Sequence, residues 1–119
     1  MRSRPGIVAT GLLALVVTIT SACQARPTDR AADAAPVSGV GQVVAEDLRF
    51  QPPAIQVAAG TEVTWRFDDG TVPHNVKGDG FASSNQTSGT WAHRFERPGQ
   101  YRYTCTLHAG MDGRVVVTP

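Results

Sequence analysis

Apolar and polar residues alternate at period two along most of the chain from Gly41 to Pro119. Val43 leads the first run, with Val44 beside it. Leu48 and Phe50 follow, until Pro52-Pro53 breaks the pattern. Ile55 and Val57 form the next run, stopped by Ala59-Gly60. Val63, Trp65 and Phe67 then share one face, and Asp68-Asp69-Gly70 reads as a solvated turn after them. Trp91, His93 and Phe95 alternate again, with His93 expected as a packed, hydrogen-bonded strand residue. Pro98-Gly99 turns the chain, Tyr101, Tyr103 and Cys105 share a face, and Val115 and Val117 close the sequence. A strand points alternate side chains to opposite faces, so each run predicts a short strand with one buried side. Gly and Pro punctuate nearly every boundary, and no stretch has the helical period. Short alternating strands separated by such turns predict an all-β sandwich. The segment from Gly78 to Gly89, with Ser83, Ser84, Asn85 and Ser88, has little apolar content and reads as a loop.

The residues before Gly41 follow different rules. Arg2 and Arg4 precede an apolar run from Ile7 to Ile19, and the small residues Thr20-Ser21-Ala22 lead to Cys23. This is the pattern of a secretory signal peptide over residues 1–22. The run is shorter than the ~20 apolar residues of a spanning helix. Cys23 stands where a bacterial lipoprotein carries its acylated cysteine, and the segment resembles a lipobox with Thr20 in place of the usual Leu. The expected location is the extracytoplasmic side of the cell membrane, held through a lipid on Cys23. Cleavage near Ala22 or Ala25 would instead leave a soluble periplasmic or secreted protein. A disulfide between Cys23 and Cys105 is a third reading, which would tie a tail to a strand end. Residues 23–40, rich in Ala and Pro, read as a flexible tether, leaving 41–119 as one folded domain.

Composition narrows the function little. Loss of Arg2 and Arg4 with the leader takes the formal charge of the 119-residue chain from +1 to −1. No basic block remains, so nucleic acid is not an expected partner. About 80 folded residues bury only ~60% of their unfolded surface, so an ion bound only by the native form would add to a modest stability.

The chemistry sits in Cys105-Thr106-Leu107-His108-Ala109-Gly110-Met111, between the run ending at Cys105 and the one beginning at Gly113-Arg114-Val115. Thiolate, imidazole and thioether stand three residues apart, and Gly110 and Gly113 permit a tight path. A second imidazole, His74 in Val72-Pro73-His74-Asn75-Val76, follows the turn after the Trp65 strand. Two imidazoles and a thiolate with a weak axial thioether are the donor set of copper electron-transfer sites. Singly, Cys105 reads as a small core residue, Met111 as a core plug and His108 as a loop residue. The spacing and the strand-loop-strand context favour the metal reading. His93 has no donor neighbour in sequence.

Pro73-His74-Asn75-Val76, the stretch Phe95-Glu96-Arg97-Pro98-Gly99-Gln100-Tyr101-Arg102-Tyr103-Thr104-Cys105, then His108, Met111 and Gly113-Arg114-Val115-Val116-Val117 resemble the plastocyanin-like cupredoxins. Phe50-Gln51-Pro52 and Gly60-Thr61-Glu62-Val63-Thr64-Trp65 extend the resemblance over most of 41–119. The short Cys-x-x-His-x-x-Met loop is most similar to that of amicyanin. The resemblance implies a Greek-key cupredoxin sandwich with one type 1 copper ion. His74, Cys105 and His108 would be its equatorial ligands and Met111 its axial one. Asn75, just outside the ligand set, would tie the two ligand loops together. Electrons would pass through the edge of His108, with Leu107, Ala109, Gly110 and Pro73 in the docking patch for redox partners. Leu107 departs from the family, which has Pro before the second His; the change restores a backbone N–H near the sulfur. The expected function is an exported, monomeric one-electron carrier that is not an enzyme, since four filled donor positions leave none for substrate and no His-x-His pair is present. The alternative is a copper-binding or delivery protein that does not cycle its metal.

Overall fold

The computed structural model describes residues 31–119, together with the isolated Gly6 and Gly11. Apart from those two glycines, the expected signal peptide 1–22, Cys23 and the tether up to residue 30 lie outside the described residues. Among the described residues there are ten strands: β1 (Val37–Ser38), β2 (Gln42–Glu46), β3 (Arg49–Gln51), β4 (Ala54–Ala58), β5 (Thr61–Phe67), β6 (Lys77–Gly78), β7 (Phe81–Ala82), β8 (Thr90–Phe95), β9 (Gly99–Thr104) and β10 (Asp112–Thr118). They make a six-stranded sheet in the order β1-β4-β10-β9-β6-β7 and a four-stranded sheet in the order β3-β2-β5-β8. Both sheets are mixed: β4 runs parallel to β1 and β10, and β2 runs parallel to β5, while the other pairs are antiparallel.

The alternation predicted from sequence is the alternation of burial. In β5 Val63, Trp65 and Phe67 are buried between more exposed neighbours, and in β10 Gly113, Val115 and Val117 are. The inward residues of both sheets meet in one core. Trp65 of the smaller sheet lies 5.3 Å, nearly perpendicular, from Tyr103 of the larger, and Phe50 packs 4.8 Å from the same ring. Burying each such large side chain is worth about 1.5–3 kcal/mol.

Three local expectations change. Leu48 does not share the buried face with Phe50. It is 50% exposed with φ 57°, beside Asp47 at φ 49°, because the two form the tight connection between β2 and β3. A two-residue hairpin turn of this hand requires left-handed backbone at both central positions, and that requirement overrides the alternation. The loop expected over Gly78–Gly89 contains β7, whose Phe81 is 8% exposed and joins the core. Contacts with the sandwich are also present before Gly41. Val37–Ser38 pairs with β4, Ala32 is buried, Asp33 pairs with Arg102, and the Arg114 guanidinium donates to the Ala34 carbonyl at 2.9 Å. For residues 31–40 these contacts replace the expected free tether.

Candidate metal centre

Two loops meet at one end of the sandwich, and the register of β6 with β9 brings them together. Lys77 stands opposite Thr104 in that antiparallel pair. One step further out, Val76 faces Cys105, and Asn75 faces Thr106. The Asn75 side chain continues the pairing where the strands end. Its oxygen accepts the Thr106 N–H at 2.9 Å, and its amide nitrogen donates to the Thr106 hydroxyl at 2.6 Å and to the Asn85 side-chain oxygen at 2.8 Å. Asn75, 7% exposed, thus staples the two loops.

The loop from Cys105 to Met111 closes on itself. The Cys105 N–H donates to the Met111 carbonyl at 2.9 Å, the Met111 N–H to the His108 carbonyl at 3.3 Å, and the Thr104 hydroxyl to the Met111 carbonyl at 3.1 Å. Gly110 takes φ 81°, a conformation open to glycine at no steric cost. Gly113 serves in another way: a Cβ there would overlap the Tyr103 ring, which lies across β10 directly opposite. Burial pushes the Tyr103 hydroxyl pKa above its ordinary value, offset in part by the Trp65 indole.

His74 is held on every side. Its backbone N–H donates to the Gln86 carbonyl at 2.9 Å, and its carbonyl accepts the Gln86 N–H at 2.8 Å. Its ring is fully buried, with Nε2 2.9 Å from the Asp69 carboxylate. An ionised carboxylate only accepts. Nε2 therefore carries the proton, and Nδ1 faces the Cys105 sulfur bare at 3.9 Å. The same reasoning applies to His108, whose Nε2 lies 2.9 Å from the Pro73 carbonyl, also a pure acceptor. The two rings stand 4.9 Å apart at 64°.

One donor atom from each of His74, Cys105 and His108 lies within 4.8 Å of the others. Metal bonds of ~2.0–2.3 Å to nitrogen and sulfur set donors about 3.5 Å apart, so a small closure brings this set onto one ion. Cys105 is a free thiol, 2% exposed, and Met111 at the loop's end is 1% exposed. His108 is only partly covered, and Leu107 beside it is 41% exposed. Soft sulfur and borderline imidazole, with His74, Cys105 and Met111 buried, fit copper.

His93 takes no part in this cluster. Its partners among the described residues are rings, Phe81 at 5.0 Å and Trp91 at 6.0 Å, both nearly parallel to it, and Phe95 edge-on at 4.9 Å, so ring packing and not the expected hydrogen bond holds it. The turn Asp68-Asp69 divides into two roles. Asp68 is exposed and pairs with Arg66, as a solvated turn predicts. Asp69 instead turns inward to His74 and also accepts the Leu48 N–H at 3.2 Å. Hydrogen bonds from His74 and then Leu48 hold its carboxyl below the usual carboxylate range. Sequence reasoning missed this residue. The available signal was an acidic side chain within one turn of a candidate ligand histidine.

The family described as copper binding proteins, plastocyanin/azurin family, matches residues 37–118. Amicyanin-alpha of Methylorubrum extorquens is 36% identical over 91 residues, covering 67% of this chain and 73% of that protein. Amicyanin of Paracoccus versutus is 32% identical and covers 96% of this chain and 94% of its own length. Among solved structures, a purple cupredoxin from Nitrosopumilus maritimus superposes with a TM-score of 0.61 at 29% identity, covering 66% of this chain and all of that one.

Proposed function

The chain belongs to the plastocyanin/azurin family of copper-binding proteins, and from this premise we propose that it is an exported blue-copper carrier that moves one electron at a time. The observation that carries the reading is the convergence of two bare Nδ1 atoms and a buried thiol at one pole, within 4.8 Å. His74, Cys105 and His108, with Met111 beside them, would hold the ion. Bound there, copper supplies a one-electron couple.

The chain's own residues account for the rest. Cys105 and His74, almost without solvent contact, keep water from the donor side. Asn75 and the Met111 carbonyl fix both loops, so the donors need little movement between oxidation states. The partly exposed His108 edge, flanked by Leu107 and Pro73, offers an apolar contact for a redox partner. With four donors committed to one ion, no position is left for substrate, which argues against an enzyme. Attachment through a lipid on Cys23 would confine the carrier to the outer face of the membrane; the mass of the mature N-terminus tests that part.

Copper(II) added to the purified protein should give an intense thiolate-to-copper band that bleaches reversibly with a reductant. Binding without the band would favour delivery over shuttling. No binding would remove the site assignment.

A further inference from the structure

The two candidate ligand imidazoles differ in what holds their far nitrogen. His108 gives its Nε2–H to a neutral carbonyl at the surface, that of Pro73. His74 gives its own to the Asp69 carboxylate, whose side chain is only 18% exposed. That carboxylate is itself held in place. The same Oδ2 accepts the Leu48 N–H from the β2–β3 turn, the Asp69 carbonyl accepts the Val72 N–H at 3.0 Å, and the Asp68 N–H ties the segment to the Ala45 carbonyl at 3.0 Å. The turn that presents Leu48 carries two non-glycine residues at positive φ, a conformation that costs energy and persists where surrounding contacts fix it.

We infer that Asp69 is a positioning residue for the copper site: it locks His74 as the Nε2–H tautomer with Nδ1 toward Cys105, and its charge weights the site toward copper(II). The inference rests on the copper reading above. An acceptor-only partner makes the other tautomer leave a buried N–H pointing at the thiol and an unprotonated nitrogen pointing at a carboxylate. A fixed negative charge one imidazole away from the ion stabilises the higher oxidation state, because the attraction to copper(II) exceeds that to copper(I).

Two variants separate the roles. Asp69→Asn keeps an oxygen that can accept the Nε2–H but deletes the charge; Asp69→Ala deletes both. Nitrogen-15 NMR of the metal-free full chain reads the His74 tautomer without any copper. The wild-type chain and D69N should show protonated Nε2 and bare Nδ1, and D69A should show a mixture. Copper(II) affinity should fall about 10–100-fold in D69A. In D69N the ratio of copper(II) to copper(I) affinity should fall about tenfold, the lower end of that range, read as a rise of about 59 mV in the one-electron potential. An unchanged tautomer in D69A overturns the positioning role, and an unchanged potential in D69N overturns the charge role. If the wild-type chain gives no thiolate-to-copper band, it is the copper reading that fails, while the tautomer experiment still decides the role of Asp69. Should D69A not fold, D69N, nearly isosteric, still tests the charge.

Discussion

The two halves of the site are built to opposite specifications. On one side His74 has a ring without solvent exposure, backbone bonds to Gln86 in both directions, and a carboxylate behind it. On the other side His108 sits in a loop whose neighbours Leu107, Ala109 and Gly110 are exposed, and one carbonyl holds its ring. In the carrier proposed above, the first half would set geometry and exclude water, and the second half would give an electron an exit. A carrier needs both, since a site wholly buried exchanges slowly and a site wholly exposed reorganises. Cys105 is where the halves join, and removing it is the largest break. Cys105→Ser should abolish the visible thiolate-to-copper band completely, as read by absorption after copper(II) is added. A surviving band would mean that another sulfur binds the ion.

The contrast between the two imidazoles is open to a direct trial. Replacing each by Gly removes the same donor from either half. A missing His108 leaves a hole that solvent can reach, so external imidazole should enter it and restore most of the colour of H108G. The hole left in H74G is closed off from solvent, and the same imidazole should restore little. Equal recovery by absorption titration would erase the distinction. The next effect in size concerns the staple between the halves. Asn75→Ala removes the acceptor of the Thr106 N–H, a part-buried hydrogen bond, which should cost about 0.5–1.5 kcal/mol in denaturant unfolding of the metal-free protein. Amide exchange should quicken at Thr106 and not at His74, whose own backbone bonds to Gln86 remain.

How much of this was legible beforehand follows from which interactions have a sequence period. The strand runs through Trp65, Phe95, Tyr103 and Val115 were readable because burial on one face imposes alternation. The donor loop was readable because its three donors are spaced within one short turn. His74 was legible as a second imidazole after the turn that follows the Trp65 strand, the resemblance in motif pointed to the same residue, and the β6–β9 register explains the placement physically. Contacts without a period were not readable. Asp69 reaches His74 across the turn Gly70-Thr71-Val72-Pro73, and nothing in that spacing separates it from the solvated Asp68 next to it. Leu48 looked like a buried strand residue until the hairpin geometry claimed it for a turn. Gly113 seemed to serve loop flexibility, but the Tyr103 ring across from it is what excludes a side chain. Phe81 lies in a polar stretch with no alternation of its own, so only the packing of Trp91, His93 and Phe95 against it reveals a core residue.

The third histidine of the chain sharpens the comparison by lying outside it. His93 has the same side chain as the two candidate ligands and sits on the middle of β8, paired opposite Val63 of β5. Its ring is partly exposed and stacks on Phe81 and Trp91, flat on the flank of the sandwich, and among the described residues no thiol or second imidazole forms a donor group with it. Among the described residues, its surroundings supply dispersion contacts but no converging donors and no side-chain acceptor to fix a tautomer. His93→Gln should therefore keep the colour, the potential and the response of H108G to imidazole. Only part of the ring stacking is lost, and the cost in unfolding free energy should be about 0.5–1.5 kcal/mol, the range for an aromatic pair. Loss of colour in this variant would show that the imidazole type, and not the two opposed settings around His74 and His108, had guided the assignment.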